Sequence, residues 1–81
     1  MIDEKRVWSE IRRVQRAIAA ARHLRGMTQL QLGAKVGMLP TTLSAIECGR
    51  RVPTTYTLAR LAVALGMTIE EMLKNAPAQD S

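Results

Sequence analysis

The chain has 81 residues, enough for one small domain whose core burial alone gives marginal stability. Its apolar content of 47% is aliphatic, with Trp8 and Tyr56 the only aromatics, and the lone Cys48 and lone His23 exclude an internal disulfide and a Cys/His zinc cluster. The net charge of +5 is uneven: residues 11–26 hold five arginines and no acid, residues 27–53 are net +2 and both ends are net −1, a field that favours a polyanion.

The longest apolar run, Leu61 to Met67, is far short of the roughly 18 residues that span a bilayer. The amino-terminal end is charged and lacks the hydrophobic region of a signal peptide. The expected setting is a reducing cytoplasm, with no membrane, cofactor or metal involved.

Glycine punctuation sets the architecture. Gly26, Gly37, Gly49 and Gly66 fall where helical patterns stop, since glycine takes the left-handed helix-exit conformation without a Cβ penalty. No stretch shows period-two alternation of β-branched residues, so the chain is expected to be all-α, with five helices and no strands. The first helix is expected from Asp3 or Glu4 to Arg25, with Val7, Ile11, Val14, Ile18, Ala21 and Leu24 or Arg25 as one apolar stripe. Arg12, Arg13 and Arg16 lie off that stripe and Arg22 near its edge. This helix is long for so small a domain, and its first two turns, with Val7 and Trp8, are expected to project beyond the core as an interface.

The second helix is expected over Gln29–Val36. Thr28 is its N-cap and Gln31 the reciprocating residue of a capping box, with Met27 and Leu32 as a hydrophobic staple. The third is expected from Pro40 to Glu47 or Cys48, with Pro40 at the first helical position and Met38 stapled to Leu43. Leu39 offers no capping acceptor, an omission worth about 0.5–2 kcal/mol relative to Ser or Thr. It is the one local rule that the chain breaks, and such breaks cluster at functional sites. The fourth helix follows Pro53, capped by Thr54 or Thr55, with Leu58, Leu61, Ala62 and Leu65 on its core face. The fifth spans Ile69–Leu73, with a second capping box in Thr68 and Glu71 and a staple from Met67 to Met72. Residues 1–75 are thus read as a single domain, and 76–81 as a flexible tail.

Two short helices separated by Gly37-Met38-Leu39 fit a helix-turn-helix over about 28–48. Gly33 is read as the small residue that lets the helices cross closely, Gly37 as the turn, and Val36, Leu43 and Ile46 as shared core. With Arg22, GMTQLQLG at Gly26–Gly33, KVG at Lys35–Gly37, TTLSAIECGRRVPT at Thr41–Thr54 and LARLAVALGMTIEEML at Leu58–Leu73, the sequence resembles the lambda-repressor-like DNA-binding family of the Cro/XRE type. The likeness covers about Ile18 to Lys74. It implies a five-helix lambda-repressor-like fold, here with an elongated first helix.

The resemblance also assigns roles. Gln29 matches a phosphate-contacting glutamine at a helix N-terminus. The third helix matches the recognition helix: Pro40, Thr41, Ser44 and Ala45 match positions that face base edges and Thr42 one that contacts the backbone. Leu39 is read beside them as an apolar contact to bases. Arg50 and Arg51 match residues that lie against phosphate. Arg22 and Glu47 match a structural ion pair. The sequence departs from the family at Cys48, where Asn is common, at the uncapped Leu39, and at Pro40, which replaces a polar base contact. With Cys48 in place, a backbone N–H of Gly49 or Arg50 remains a way to reach phosphate.

No Arg, Lys, Gln or Asn lies between Pro40 and Cys48, so bidentate base reading is missing from that helix. Single hydroxyl bonds, thymine-methyl contacts and DNA shape are left to carry specificity. Thr41, Thr42 and Ser44 have no His or acidic partner placed for nucleophile activation, so no catalytic residue is expected. The expected function is a dimeric, sequence-specific repressor that occupies an inverted-repeat operator on double-stranded DNA, cytoplasmic and nucleoid-associated in a bacterial-type cell. Two alternatives stand beside it: an antitoxin or other interaction module with its partner on Val7 and Trp8, and a controller that both activates and represses.

Overall fold

A computed structural model describes residues 1–75; the tail expected at 76–81 lies outside the described residues. Five helices follow one another with no strand among the described residues: α1 Glu4–Leu24, α2 Gln29–Val36, α3 Pro40–Glu47, α4 Thr55–Ala64 and α5 Ile69–Lys74. None is long and apolar enough to cross a membrane.

The helix starts follow the local chemistry. Thr28 Oγ1 accepts from Gln31 N at 3.0 Å while Thr28 N donates to Gln31 Oε1 at 2.9 Å. Thr68 and Glu71 repeat this reciprocal pair at 3.0 and 2.9 Å. Asp3 caps α1 and Thr54 caps α4. Only α3 starts without a side-chain cap: Leu39 supplies none, and Pro40 stands at the first position, where a missing N–H costs no helical bond.

Ala17, Ile18 and Ala21 of α1, Leu32 and Val36 of α2, Leu43 and Ile46 of α3, Leu61, Ala62 and Leu65 of α4, and Met67 and Met72 form one core. Around it α1 packs on α3 and α5, α2 on α3 and α4, and α4 on α5. A 21-residue helix is about 32 Å long, which fits only along the longest of the molecule's 40 × 22 × 21 Å extents. Accordingly, the first turns of α1 stand clear of the core: Trp8 is 53% exposed, Val7, Ile11 and Val14 are half-buried, and Ile2, just ahead of the helix, is exposed.

Three positions differ from the expected stripe. Leu24 is exposed, because the last turn of α1 runs past the core before the chain reverses at Gly26. Gln15 and Arg22, polar residues beside the stripe, are buried instead, because each has hydrogen-bond partners inside. Gly33 is also needed for a different reason. A Cβ there would strike the carbonyl oxygen of Met38, so it makes room for the folded-back turn, and Met38 N donates to Gly33 O at 2.8 Å.

Candidate nucleic-acid interface

The turn between α2 and α3 is fixed by Gly37 at φ 68°, a conformation that side chains with a Cβ resist. It sets α3 with Leu43, Ile46 and Glu47 inward. The opposite side carries Leu39, 69% exposed, then Thr41 exposed, and Pro40, Thr42, Ser44 and Ala45 half-buried. Thr41, Ser44 and Ala45 share the i, i+3, i+4 spacing of one outward face, with Pro40 and Thr42 on its flanks and Leu39 ahead of the helix. No side-chain hydrogen bond engages Thr41, Thr42 or Ser44 among the described residues, so three hydroxyls keep their full capacity for an outside partner.

Glu47 closes the inner side of α3. Arg22 grips it with two bonds, Nε to Oε2 at 2.8 Å and Nη2 to Oε1 at 2.9 Å, in the planar fork that a guanidinium makes with a carboxylate. Both residues are buried, and the Glu47 hydrogen bond holds the Arg22 guanidinium in its charged form, raising its pKa. Arg22 Nη1 donates further to Met27 O at 2.8 Å, tying the entry of α2 to the same group. Gln29 Nε2 donates to Glu47 Oε1 at 3.1 Å. The Gln29 amide, at the first position of α2, is therefore oriented by the ion pair in the free protein.

Past α3 the chain turns through Gly49 at φ 94° and carries Arg50 and Arg51, both exposed. Neither side chain has a hydrogen bond or ion pair among the described residues. Their backbone is already committed. Arg50 N and Arg51 N both donate to Ala45 O, at 2.9 and 3.1 Å, and Gly49 N donates to Ile46 O at 3.3 Å. This corrects the expectation that an amide of Gly49 or Arg50 remains to reach a phosphate: the last turn of α3 uses both to satisfy its own carbonyls. Cys48 is exposed with a free thiol, its Sγ 3.6 Å from Ala45 O.

The arginines of α1 are distributed differently from what their charge alone suggests. Arg25 Nε donates to Leu65 O at 2.8 Å and Arg13 Nη2 to Leu73 O at 3.2 Å, each at the carbonyl end of another helix. Arg12 Nη1 donates to Glu47 O at 3.4 Å and to Gln15 Oε1 at 3.1 Å, and Gln15 Nε2 donates to Arg51 O at 2.9 Å. Sequence reasoning missed this Arg12–Gln15 pair. Its one trace in the sequence is the i, i+3 spacing of a donor and an acceptor; its targets are backbone carbonyls, which no residue type marks. Among the described residues no group of three His, Cys, Asp or Glu could hold a metal.

A short helix set across its partner, with three unbonded hydroxyls on its outer side and two unpaired arginines at its exit, fits the helix-turn-helix class. Likeness to known proteins makes the chain a DNA-binding regulator. The helix-turn-helix family model matches residues 18–72, more than half of the chain, and the chain belongs to that family, in its Cro/C1-type branch. The uncharacterized HTH-type transcriptional regulator y4dJ of Sinorhizobium fredii is 42% identical over 55 residues, covering 68% of this chain and 71% of that protein. Multiprotein-bridging factor 1 of Eremothecium gossypii is 39% identical over 56 residues, and that of Candida albicans 38% over 56. Each of these two matches covers 69% of this chain and 37% of the bridging factor, so the chain spans little more than a third of their length.

Proposed function

We propose that the chain is a non-enzymatic transcriptional repressor that acts as a dimer by occupying an inverted-repeat operator in a bacterial-type cytoplasm. Two copies of α3 enter successive major grooves about 34 Å apart. The observation that carries this reading is the pairing of an unbonded outward strip on α3 with exposed, unpartnered Arg50 and Arg51 directly after it. Arg50, Arg51 and Gln29 grip phosphate, with Thr42 beside them. Leu39, Pro40, Thr41, Ser44 and Ala45 face the bases through hydroxyl bonds and methyl contacts. Because no side chain on the strip makes a bidentate base contact, the shape and deformability of the site share in the choice of sequence.

The test is the salt dependence of binding to duplex DNA. A dimer that neutralises about 6–10 phosphates gives a log–log slope near −5 to −9. A slope near zero overturns the reading. Replacing thymine by uracil across a selected operator tests the methyl contacts separately; unchanged affinity removes them from the account.

A second reading draws on the two relatives whose printed name describes bridging between several proteins. Ile2 just ahead of α1, 74% exposed, with Trp8 at 53% and a half-buried Val7 in its first turns, offers a surface for a protein partner such as a toxin. In this reading DNA is bound secondarily. Loss of partner binding on Trp8→Ala, with DNA affinity intact, would favour it. Operators lying just upstream of a promoter instead of across it would favour the activating controller.

A further inference from the structure

We propose that Gln15, acting with Arg12, is a positioning residue for the phosphate grip: it holds the backbone that carries Arg50 and Arg51 in a binding-ready shape before DNA arrives. This rests on the assignment of Arg50 and Arg51 to phosphate and adds to it a residue that touches no DNA.

The segment after α3 is pinned at both ends from one helix. Arg12 Nη1 holds the carbonyl of Glu47 at 3.4 Å, and Gln15 Nε2 holds the carbonyl of Arg51 at 2.9 Å. The two pins are joined, because the same Arg12 nitrogen donates to Gln15 Oε1 at 3.1 Å. Between them stands Gly49, against which the Arg12 guanidinium lies so closely that a Cβ would fall 2.6 Å from Nη1. α1 is a continuous helix through both residues, so the loop borrows the rigidity of the longest element in the fold.

Simple structural filling accounts poorly for this arrangement. Gln15 is 1% exposed, whereas Arg51, whose carbonyl it serves, is exposed and lies beside solvent. Removing this amide alone would leave Arg51 O and Arg12 Nη1 each short of one part-buried bond, so it contributes to folding as any such group does. What it fixes besides is the path of the chain from Glu47 to Arg51. Ordering that path in the free protein removes a cost that binding would otherwise carry.

The test uses the full chain and a mixed-sequence DNA duplex, for which phosphate contacts dominate. Gln15→Met keeps the volume and removes both bonds. Its melting temperature is expected to fall modestly, since Arg51 O and Arg12 Nη1 each lose one partner, while its affinity, measured well below the transition, falls about tenfold, the equivalent of ordering one or two residues. The amides of Arg50 and Arg51 are expected to exchange with solvent faster, while those of the core stay protected. The salt slope is expected to be unchanged, since both arginines remain. In an Arg50→Ala/Arg51→Ala background Gln15→Met is expected to have no further effect, whereas a general loss of structure would weaken both backgrounds alike. If Arg50→Ala/Arg51→Ala weakens binding but Gln15→Met does not, the positioning role is overturned and the phosphate assignment stands. If Arg50→Ala/Arg51→Ala leaves both affinity and slope intact, the phosphate assignment itself fails. Should Gln15→Met not fold, Gln15→Glu keeps the acceptor for Arg12 and removes the donor to Arg51 O; the negative charge it adds would weaken binding in both backgrounds alike, so the same double-mutant comparison still decides the matter.

Discussion

Arg12, Arg13 and Arg22 of α1, with Arg25 at its C-cap, carry the same charge as the two arginines after α3 and do opposite work. Arg12, Arg13, Arg22 and Arg25 each donate to a carbonyl or carboxylate of this protein, closing helix ends or pairing with Glu47. Arg50 and Arg51 donate to nothing among the described residues through their side chains. The same contrast runs through α3, where Glu47 on the inner side is held by three bonds from Arg22 and Gln29 while the hydroxyls of the outer strip are free. A count of basic residues thus overstates the surface offered to a polyanion. Polar groups that the fold leaves unsatisfied are a narrower guide to where an external partner binds.

The widest separation between the two sets is expected at Arg22. Arg22→Met leaves the Glu47 carboxylate buried with only Gln29 beside it. Removing one member of a buried pair costs about 3–5 kcal/mol, a large fraction of the stability of a domain this small. Denaturant unfolding should show that loss directly, and DNA binding should fail with the fold. An Arg22→Met variant as stable as the parent would place the pair outside the scaffold.

Arg50→Ala and Arg51→Ala are expected to do the reverse. Each should leave the unfolding midpoint within error. Each should weaken DNA binding roughly tenfold and make the salt slope shallower by about 0.9 per phosphate lost, or about twice that in a symmetric dimer. If either lowers stability by as much as it lowers affinity, the division between inward and outward arginines breaks down.

Leu39 belongs to the outward set although it is apolar. It is 69% exposed and leaves α3 without a side-chain cap. Leu39→Ser is expected to stabilise the fold by about 0.5–2 kcal/mol through the restored cap, while reducing affinity for a thymine-containing operator. A gain in both would show that Leu39 has no part in reading DNA.

What was legible beforehand follows the range of the signal. The helix boundaries, the two capping boxes and the uncapped Leu39 are written within a few residues of themselves, and the structure places the caps where the sequence does and the helix ends within one residue. The pairing of Arg22 with Glu47 crosses 25 residues and was legible only through family resemblance. Gln15, Arg12, Arg13 and Arg25 were not legible as helix-end and loop anchors, because their acceptors are carbonyls 35 to 60 residues away that any residue would supply. Arg13 and Arg25 give the next smaller test. Arg13→Met and Arg25→Met are expected to cost about 0.3–1 kcal/mol each, the usual worth of a cation at a helix carboxyl end. The slope of DNA binding with salt should hardly move; a change as large as that of Arg50→Ala would return these arginines to the DNA footprint.

The smallest expected effect separates the two capping boxes, which have the same geometry and different chemistry. Thr28 is paired with Gln31 and Thr68 with Glu71. Hydrogen bonds from the Thr68 backbone and then its side chain hold the Glu71 carboxyl below its ordinary pKa. A carboxylate with a depressed folded-state pKa adds stability above its unfolded pKa and loses that share as pH falls through the folded value. Acidification should therefore loosen the start of α5 and leave the start of α2 unaffected by its own cap. Since Glu71 is exposed, added salt should shrink the effect. Amide exchange at Glu71 N, followed from neutral pH downward, should lose protection before Gln31 N does after correction for intrinsic rates. Glu71→Gln should abolish the difference. If both starts loosened together, the acid sensitivity would belong to the shared scaffold, with Arg22–Glu47 the first place to look.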